Sequence, residues 1–336
     1  MGNAVAYKVE DRSILLPYYK RFCVEPSLRF IPARVNPNTI THVGHLACFS
    51  AIALLVATQA TRGWPFIAAM ALLQFYNWCD NADGAHARRT GQCSVLGEFL
   101  DHGLDVLNTT YIGLMTIYAL GSSPEYAVIL ACLIPGATAL VCWEQVETGV
   151  FRVGMLNQIE SVMVLSATMV FSAVFGADAL RQIHLGPLTL WQFMHLWPIV
   201  TILFGMGHGM LRVHRAGRSV APALAFLTAL SAVTYMGVTH RASTLVAVSL
   251  AVAVNVFYGV RMLSQRFRGE RSRVEPLFVL GALGVLTVCG LPSLGLSLAP
   301  DTGAALTIAA CTVYGLSSSR EARAGLATLA QRDSRR

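Results

Sequence analysis

The sequence predicts an all-α polytopic membrane protein of about ten transmembrane helices preceded by an N-terminal interfacial helix. Three observations carry this. Of the 336 residues, 54% are hydrophobic and only 13% are charged, a balance too apolar for an ordinary soluble domain. Apolar runs of roughly 16 to 25 residues, each able to cross a hydrocarbon core of ~30 Å, recur from His45 to Leu316. Threading them as spans 43–60, 63–79, 95–121, 125–143, 157–176, 188–211, 219–238, 242–263, 274–290 and 301–317, with both termini cytoplasmic, leaves only Arg62, Arg181 and Arg241 of the 25 Lys and Arg in outside loops. The net charge of +7 is therefore the positive-inside bias of a membrane protein. It calls for no nucleic-acid partner, and it leaves the basic loop 261–273 available to anionic lipid headgroups.

Taken in order, the elements read as follows. Residues 1–42 form a cytoplasmic and interfacial segment. Within it Leu15, Leu16, Tyr18, Tyr19, Phe22, Leu28, Phe30 and Ile31 alternate with Lys20, Arg21, Arg29 and Arg34, a mixture suited to lying at the membrane surface. The forty mostly polar residues ahead of the first span contain no cleavable-signal pattern. Asn36-Pro37-Asn38-Thr39-Ile40-Thr41 supplies a turn and a helix cap at the entrance to the first span. Residues 43–213 hold six spans and nearly all the acidic groups near membrane depth. Residues 214–336 hold four spans and a cytoplasmic tail. Ala221, Ala225 and Ala229 in that last part, at spacing four, let helices approach closely for packing or for homodimer formation. The eight cysteines are scattered singly with no C-x-x-C pair and read as small apolar residues.

The stretch with chemistry in it is Asp80-Asn81-Ala82-Asp83-Gly84-Ala85-His86-Ala87-Arg88-Arg89, followed by Gly97-Glu98-Phe99-Leu100-Asp101-His102-Gly103-Leu104-Asp105. Four aspartates sit at the cytoplasmic end of one span and the opening turns of the next. Carboxylates at that depth are costly and have partners. At about 100° per residue, Asp101 and Asp105 lie about 40° apart on their helix, and Asp80 and Asp83 about 60° apart on theirs. Two antiparallel helices thus present four oxygen-rich side chains to one point, the donor set that hard divalent cations prefer. Gly84, Ala87 and Gly97 are small enough for a diphosphate to approach the backbone, and Arg88 and Arg89 carry charge to meet it. A purely structural alternative is a buried acidic cluster neutralised by Arg88, Arg89 and His102.

The pattern D-x-x-D-G-x-x-A-R, eight residues, then G-x-x-x-D-x-x-x-D resembles the signature of the CDP-alcohol phosphotransferase family. Asp80, Asp83, Gly84, Ala87, Arg88, Gly97, Asp101 and Asp105 meet it without departure. Arg88-Arg89-Thr90, Leu96-Gly97-Glu98, Asp101-His102-Gly103, Pro37-Asn38-Thr39-Ile40-Thr41, Trp143-Glu144, Thr148-Gly149 and Glu160 are most similar to the choline and ethanolamine phosphotransferase branch. The resemblance covers residues 10–165. It implies a six-helix core around a cytoplasm-facing cavity, with the four aspartates holding two Mg²⁺ or Mn²⁺ ions that grip the CDP diphosphate. It also implies that Asn38, Gly84, Ala87, Arg88 and Gly97 bind that diphosphate.

The implied reaction moves phosphoethanolamine or phosphocholine from a CDP-amino alcohol to the hydroxyl of diacylglycerol and releases CMP. The attacking hydroxyl needs a base. His102 is the candidate, with Glu98 one turn earlier as its orienting partner, and Asp105 is the alternative base. Trp143, Glu144, Glu147 and Glu160 lie near the same cytoplasmic level and are candidates for the cationic headgroup; each reads equally as an interfacial anchor or a capping acid. Three alternatives differ in chemistry: a ceramide acceptor, a CDP-diacylglycerol donor with a polyol acceptor, and a cation transporter. A transporter would spread its acids through the depth of several helices, whereas here they cluster at one face with glycines and arginines. The use of 23 Arg against 2 Lys points to a GC-rich genome and leaves open a bacterial inner membrane or a eukaryotic endomembrane.

Overall fold

The computed structural model describes residues 8–154, 158–239, 242–290 and 300–333. These are helical apart from short strands, of which His184–Leu185 and Leu188–Thr189 pair antiparallel with His184 opposite Thr189. The long helices are α1 (Pro37–Thr58), α2 (Trp64–Thr90), α3 (Val95–Leu120), α4 (Pro124–Thr148), α5 (Gln158–Phe175), α6 (Leu190–Arg215), α7 (Ala221–Val238), α8 (Thr244–Arg268), α9 (Pro276–Gly290) and α10 (Pro300–Asp333). Among the described residues six of them, α1, α4, α5, α6, α7 and α8, are long and apolar enough to cross a membrane. The polar and acidic residues carried by α2 and α3 dilute their hydropathy. The chain divides into two compact units, residues 1–122 with 152–198, and residues 123–151 with 199–336.

The first unit is built around α1, α2, α3 and α5. Pro37 starts α1, where its missing N–H costs nothing, and the Asn36 side chain accepts from the Asn38 N–H at 2.9 Å as the N-cap. Gly91, at φ 69, closes α2 in the left-handed conformation that glycine reaches without strain. The acidic stretch that follows the apolar part of α2 is therefore helical as far as Thr90, and Asp80 and Asp83 sit on an ordered helix instead of a loop. Ala47, Cys48, Ala51, Leu55, Phe66, Ala69, Leu73, Met115, Val162 and Met169 make the shared core. Lipid tails are as apolar as leucine, so dispersion and close fit hold such helices together. Gly44 shows how close: a Cβ there would lie 2.6 Å from the Cβ of Cys79, which sets the α1–α2 crossing one residue ahead of Asp80.

The N-terminal segment is helical from Leu16 to Leu28, with a π turn over Lys20–Val24. Val24 and Leu28 pack on Ala82 of α2, flanked by Tyr19, Ile31, Trp78 and Ala85, and Trp78 Nε1 donates to Ser27 Oγ at 2.8 Å. Burial against α2 pushes the Tyr19 hydroxyl up to about 12, so it stays protonated as a donor. Tyr18, Phe22 and Phe30 face outward.

In the second unit, Pro135 lies inside α4. A proline in a helix removes the N–H that would bond the carbonyl four residues earlier. Asn255 of α8 replaces it, donating from Nδ2 to the carbonyls of Ala131 and Cys132, both at 3.2 Å. Gly237 of α7 brings three helices together, since a Cβ there would lie 2.8 Å from Val128 and 2.9 Å from Ala247. Ala229 is buried within this unit. Phe226 stacks on Tyr258 at 4.1 Å, and Arg261 bridges Glu275 at 2.7 Å and Glu321 at 2.9 Å. Glu321 also takes Arg268 at 2.8 Å. The stretch expected as a cytoplasmic tail is helical through Asp333, and these ion pairs tie it to α8.

Asn255→Leu leaves the Ala131 carbonyl of α4 without a donor inside an apolar unit. The expected loss is about 1 to 2 kcal/mol, the range of interhelical hydrogen bonds in membranes, read as a lower Tm in detergent; an unchanged Tm would show that the carbonyl finds another partner.

Candidate active site

Helices α2 and α3 present the acids. On α3, Ser94 caps the N-terminus by accepting from the Gly97 N–H at 3.0 Å, and Asp101 and Asp105 follow one turn apart. Ligand oxygens of Asp80, Asp101 and Asp105 lie within 4.8 Å of one another. Asp83, next on α2, is 4% exposed and accepts from the Thr41 hydroxyl of α1 at 2.6 Å and from the Gly84 N–H. The structure thus gathers three of the four expected ligands at one point and seats the fourth one helical turn along, against α1.

Ionised together, three carboxylates this close would repel strongly in a medium of low dielectric. The cluster contains a further sign of what it accommodates: Asp105 Oδ1 is buried and has no hydrogen-bond partner. A buried carboxylate oxygen without a donor is costly, and a divalent cation would satisfy it. An all-carboxylate oxygen set suits Mg²⁺ or Mn²⁺. The residues present therefore fit such an ion.

The other expected site residues are placed unevenly. His102 turns Nδ1 toward Asp105 Oδ2 at 3.7 Å. Glu98 sits one turn before it on α3. A Cβ on Gly97 would lie 3.0 Å from Asn38 Oδ1, so Asn38 and Gly97 are adjacent. The Arg88 guanidinium folds back over Gly84, 3.3 Å from where a Cβ would stand. Arg89 is used elsewhere: it donates to the carbonyls of Leu28 and Ile31 at 2.5 and 2.7 Å and contacts His86 Nδ1 at 3.1 Å. Buried His86 in turn reaches the Val35 carbonyl at 2.9 Å. Arg89 and His86 tie the N-terminal segment to α2.

The headgroup candidates all have protein partners. Glu160 Oε1 receives Ser13 Oγ, Ile14 N and Leu15 N at 2.7 to 2.9 Å, the pattern of a capping acid. In the second unit Arg212 grips Glu144 through two bonds of 2.7 and 2.8 Å. Trp143 Nε1 donates to Ser272 Oγ at 3.0 Å, and Glu147 accepts from Ser272. Sequence reasoning missed Gln158, which donates to Asp80 Oδ2 at 2.9 Å. It also missed the pair His45 and Asn108, joined at 3.0 Å beside Asp105. The available signal was a polar residue inside an apolar run, which needs a partner at membrane depth.

A model of the CDP-alcohol phosphatidyltransferase family matches residues 34–205, a stretch that contains the whole carboxylate cluster. The chain belongs to that family, and with its apolar helices it is a multi-pass membrane protein. Among curated proteins it is similar to cholinephosphotransferase 1 of Rattus norvegicus, at 32% identity over 159 residues, 45% of this chain and 39% of that protein. The same enzyme of Xenopus laevis is 30% identical over 184 residues, 51% of this chain and 44% of that protein. That of Gallus gallus is 30% identical over 212 residues, 59% of this chain and 60% of that protein. The matches thus span between two fifths and three fifths of the length of these relatives.

Arg89→Leu removes charge-assisted bonds worth about 1.5 to 3 kcal/mol each. The segment 16–34 should then be cleaved by trypsin at Lys20, Arg21 or Arg29 at least ~10-fold faster, with the Tm of the helical core little changed. Equal cleavage rates would show that Trp78, Val24 and Leu28 hold the segment without Arg89.

Proposed function

We propose that this chain transfers phosphoethanolamine or phosphocholine from the CDP-amino alcohol to the hydroxyl of diacylglycerol, releasing CMP, in phospholipid synthesis. The convergence of Asp80, Asp101 and Asp105, inside the stretch the family model matches, is the observation that carries this reading. The branch assignment draws on the likeness to the cholinephosphotransferases.

Asp80, Asp83, Asp101 and Asp105 would hold two Mg²⁺ or Mn²⁺ ions. Bound there, the ions supply Lewis acidity and charge neutralisation at the diphosphate. The chain's own residues do the rest. Arg88 offers positive charge to the diphosphate, while Gly84, Ala87 and Gly97, with Asn38 beside Gly97, keep the backbone approachable. His102 takes the proton of the attacking lipid hydroxyl at Nε2, because Nδ1 is turned to Asp105. Glu98, one turn earlier, stabilises the imidazolium that results. The bond from phosphorus to CMP breaks as the new bond to the lipid oxygen forms, and CMP leaves with its phosphate charge opposed by Arg88.

The surrounding architecture follows from the same reading. Ten crossings would place both termini in the cytoplasm, with residues 43–213 as the catalytic core and 214–336 as a packing and homodimer-forming part. The outward-facing Tyr18, Phe22 and Phe30, interleaved with Lys20, Arg21 and Arg29, would lie in the membrane interface.

The test is CMP release by purified chain in detergent with Mg²⁺ or Mn²⁺ and diacylglycerol or ceramide, comparing CDP-ethanolamine with CDP-choline. Metal-dependent release with one CDP-amino alcohol is expected, abolished by Asp101→Asn and reduced ~10²- to 10⁴-fold by His102→Ala, the usual contribution of a general base. Release only from CDP-diacylglycerol with a polyol would keep the family chemistry and overturn the branch and the role of His102.

A further inference from the structure

Gln158 opens α5, and its amide reaches across to α2. Nε2 lies 2.9 Å from Asp80 Oδ2 and 3.2 Å from the Tyr76 hydroxyl. The Tyr76 hydroxyl lies 3.5 Å from Asp80 Oδ1. A primary amide has two N–H groups, so Gln158 can donate to both partners at once, and the tyrosine can pass its own proton on to the second carboxylate oxygen. Asp80 thereby meets Gln158 at one oxygen and Tyr76 at the other, and both Tyr76 and Asp80 also reach Asp105 on the neighbouring helix. Each oxygen keeps a further lone pair for another partner.

This arrangement matters because Asp80 is the only member of the three-carboxylate cluster that comes from α2; Asp101 and Asp105 both come from α3. Its orientation sets whether the cluster closes. With all three carboxylates ionised, as a bound cation requires, a freely rotating Asp80 would swing away from its two neighbours, since repulsion falls with distance. We propose that Gln158, directly and together with Tyr76, is the positioning residue that holds Asp80 toward Asp101 and Asp105, so that a divalent cation meets a preformed site. This rests on the metal-dependent reading of the same cluster. It assigns to α5 a part in cation binding that none of the eight signature positions carries.

A purely structural role predicts something different. Gln158 also joins α5 to α2, and losing that tie would loosen the helix pair without a specific effect on cations. The molecule contains a matched control: Gln74 of α2 donates to Ser166 of α5 at 2.7 Å, on the same helix pair but away from the carboxylates.

The experiment is Mn²⁺ titration of the full-length purified chain in detergent, with free Mn²⁺ read by electron paramagnetic resonance and Tm measured in parallel. Gln158→Met keeps the length of the side chain and removes both donors. It should raise the Mn²⁺ Kd at least ~10-fold, the usual effect of losing an outer partner of a ligand. Gln74→Met should lower Tm and leave the Kd in place. Tyr76→Phe is close to isosteric and serves if Gln158→Met does not fold; it should raise the Kd severalfold. Wild-type binding with an unshifted Kd in Gln158→Met, or in Tyr76→Phe, overturns the inference and leaves the metal site standing. Wild-type chain that binds Mn²⁺ no better than Asp101→Asn overturns the metal reading itself and the inference with it.

Discussion

The constraint on which the site in the first unit depends is the close approach of Asp80, Asp101 and Asp105, whose ligand oxygens lie within 4.8 Å of one another and would repel when ionised together. In water such a group would cost little. Among apolar helices, where charges are poorly screened, it is held only by opposing structure. The helices bring that structure from several directions. Gly44 fixes the α1–α2 crossing by contact with Cys79, Thr41 holds Asp83, Gln158 and Tyr76 hold Asp80, and Ser94 fixes the start of α3. The remaining strain sits on the unpartnered Asp105 Oδ1. A divalent cation would relieve it.

The same economy of polar groups runs through the rest of the chain. Where a backbone group loses its partner, a side chain from another element supplies one. Asn255 serves the Ala131 carbonyl that Pro135 leaves open in α4, and Arg89 serves the carbonyls at the end of the N-terminal helix. Glu160 gathers the three donors at its beginning. With no water in the hydrocarbon region to take these bonds, each exchange also dictates which helices must touch. Small residues then set how closely they do so, as at Gly237 between Val128 and Ala247.

How far the site was legible differs residue by residue, for a physical reason. The aspartates could be paired from sequence because Asp101 and Asp105 share a helix, and helical periodicity alone aligns residues four apart. Asn38 and Gly97 were each readable from motif spacing, but their adjacency was not, because it depends on where α1 meets α3. Arg89 misled for the converse reason. Its position beside Arg88 suggested a phosphate contact, yet neighbours in a helix point about 100° apart, and its direction leads to Leu28 and Ile31. Glu160, Trp143, Glu144 and Glu147 were ambiguous in sequence because an acid or an indole near the interface serves a cap, a salt bridge or a ligand equally well. The structure gives each of them a protein partner.

The sequence by itself determined the helical, membrane-spanning character of the chain, its family, and the residues that carry charge where charge is costly. Those properties are written in composition, periodicity and fixed spacing, all of which are local along the chain. Only the tertiary structure decided that Asp80 joins Asp101 and Asp105 while Asp83 turns to Thr41, and that Gln158 from a distant helix holds the first of them. It also decided that the polar end of the chain is tied to α8 through Arg261 and Arg268. These outcomes depend on crossing positions and side-chain directions between helices far apart in sequence, and no local pattern encodes them.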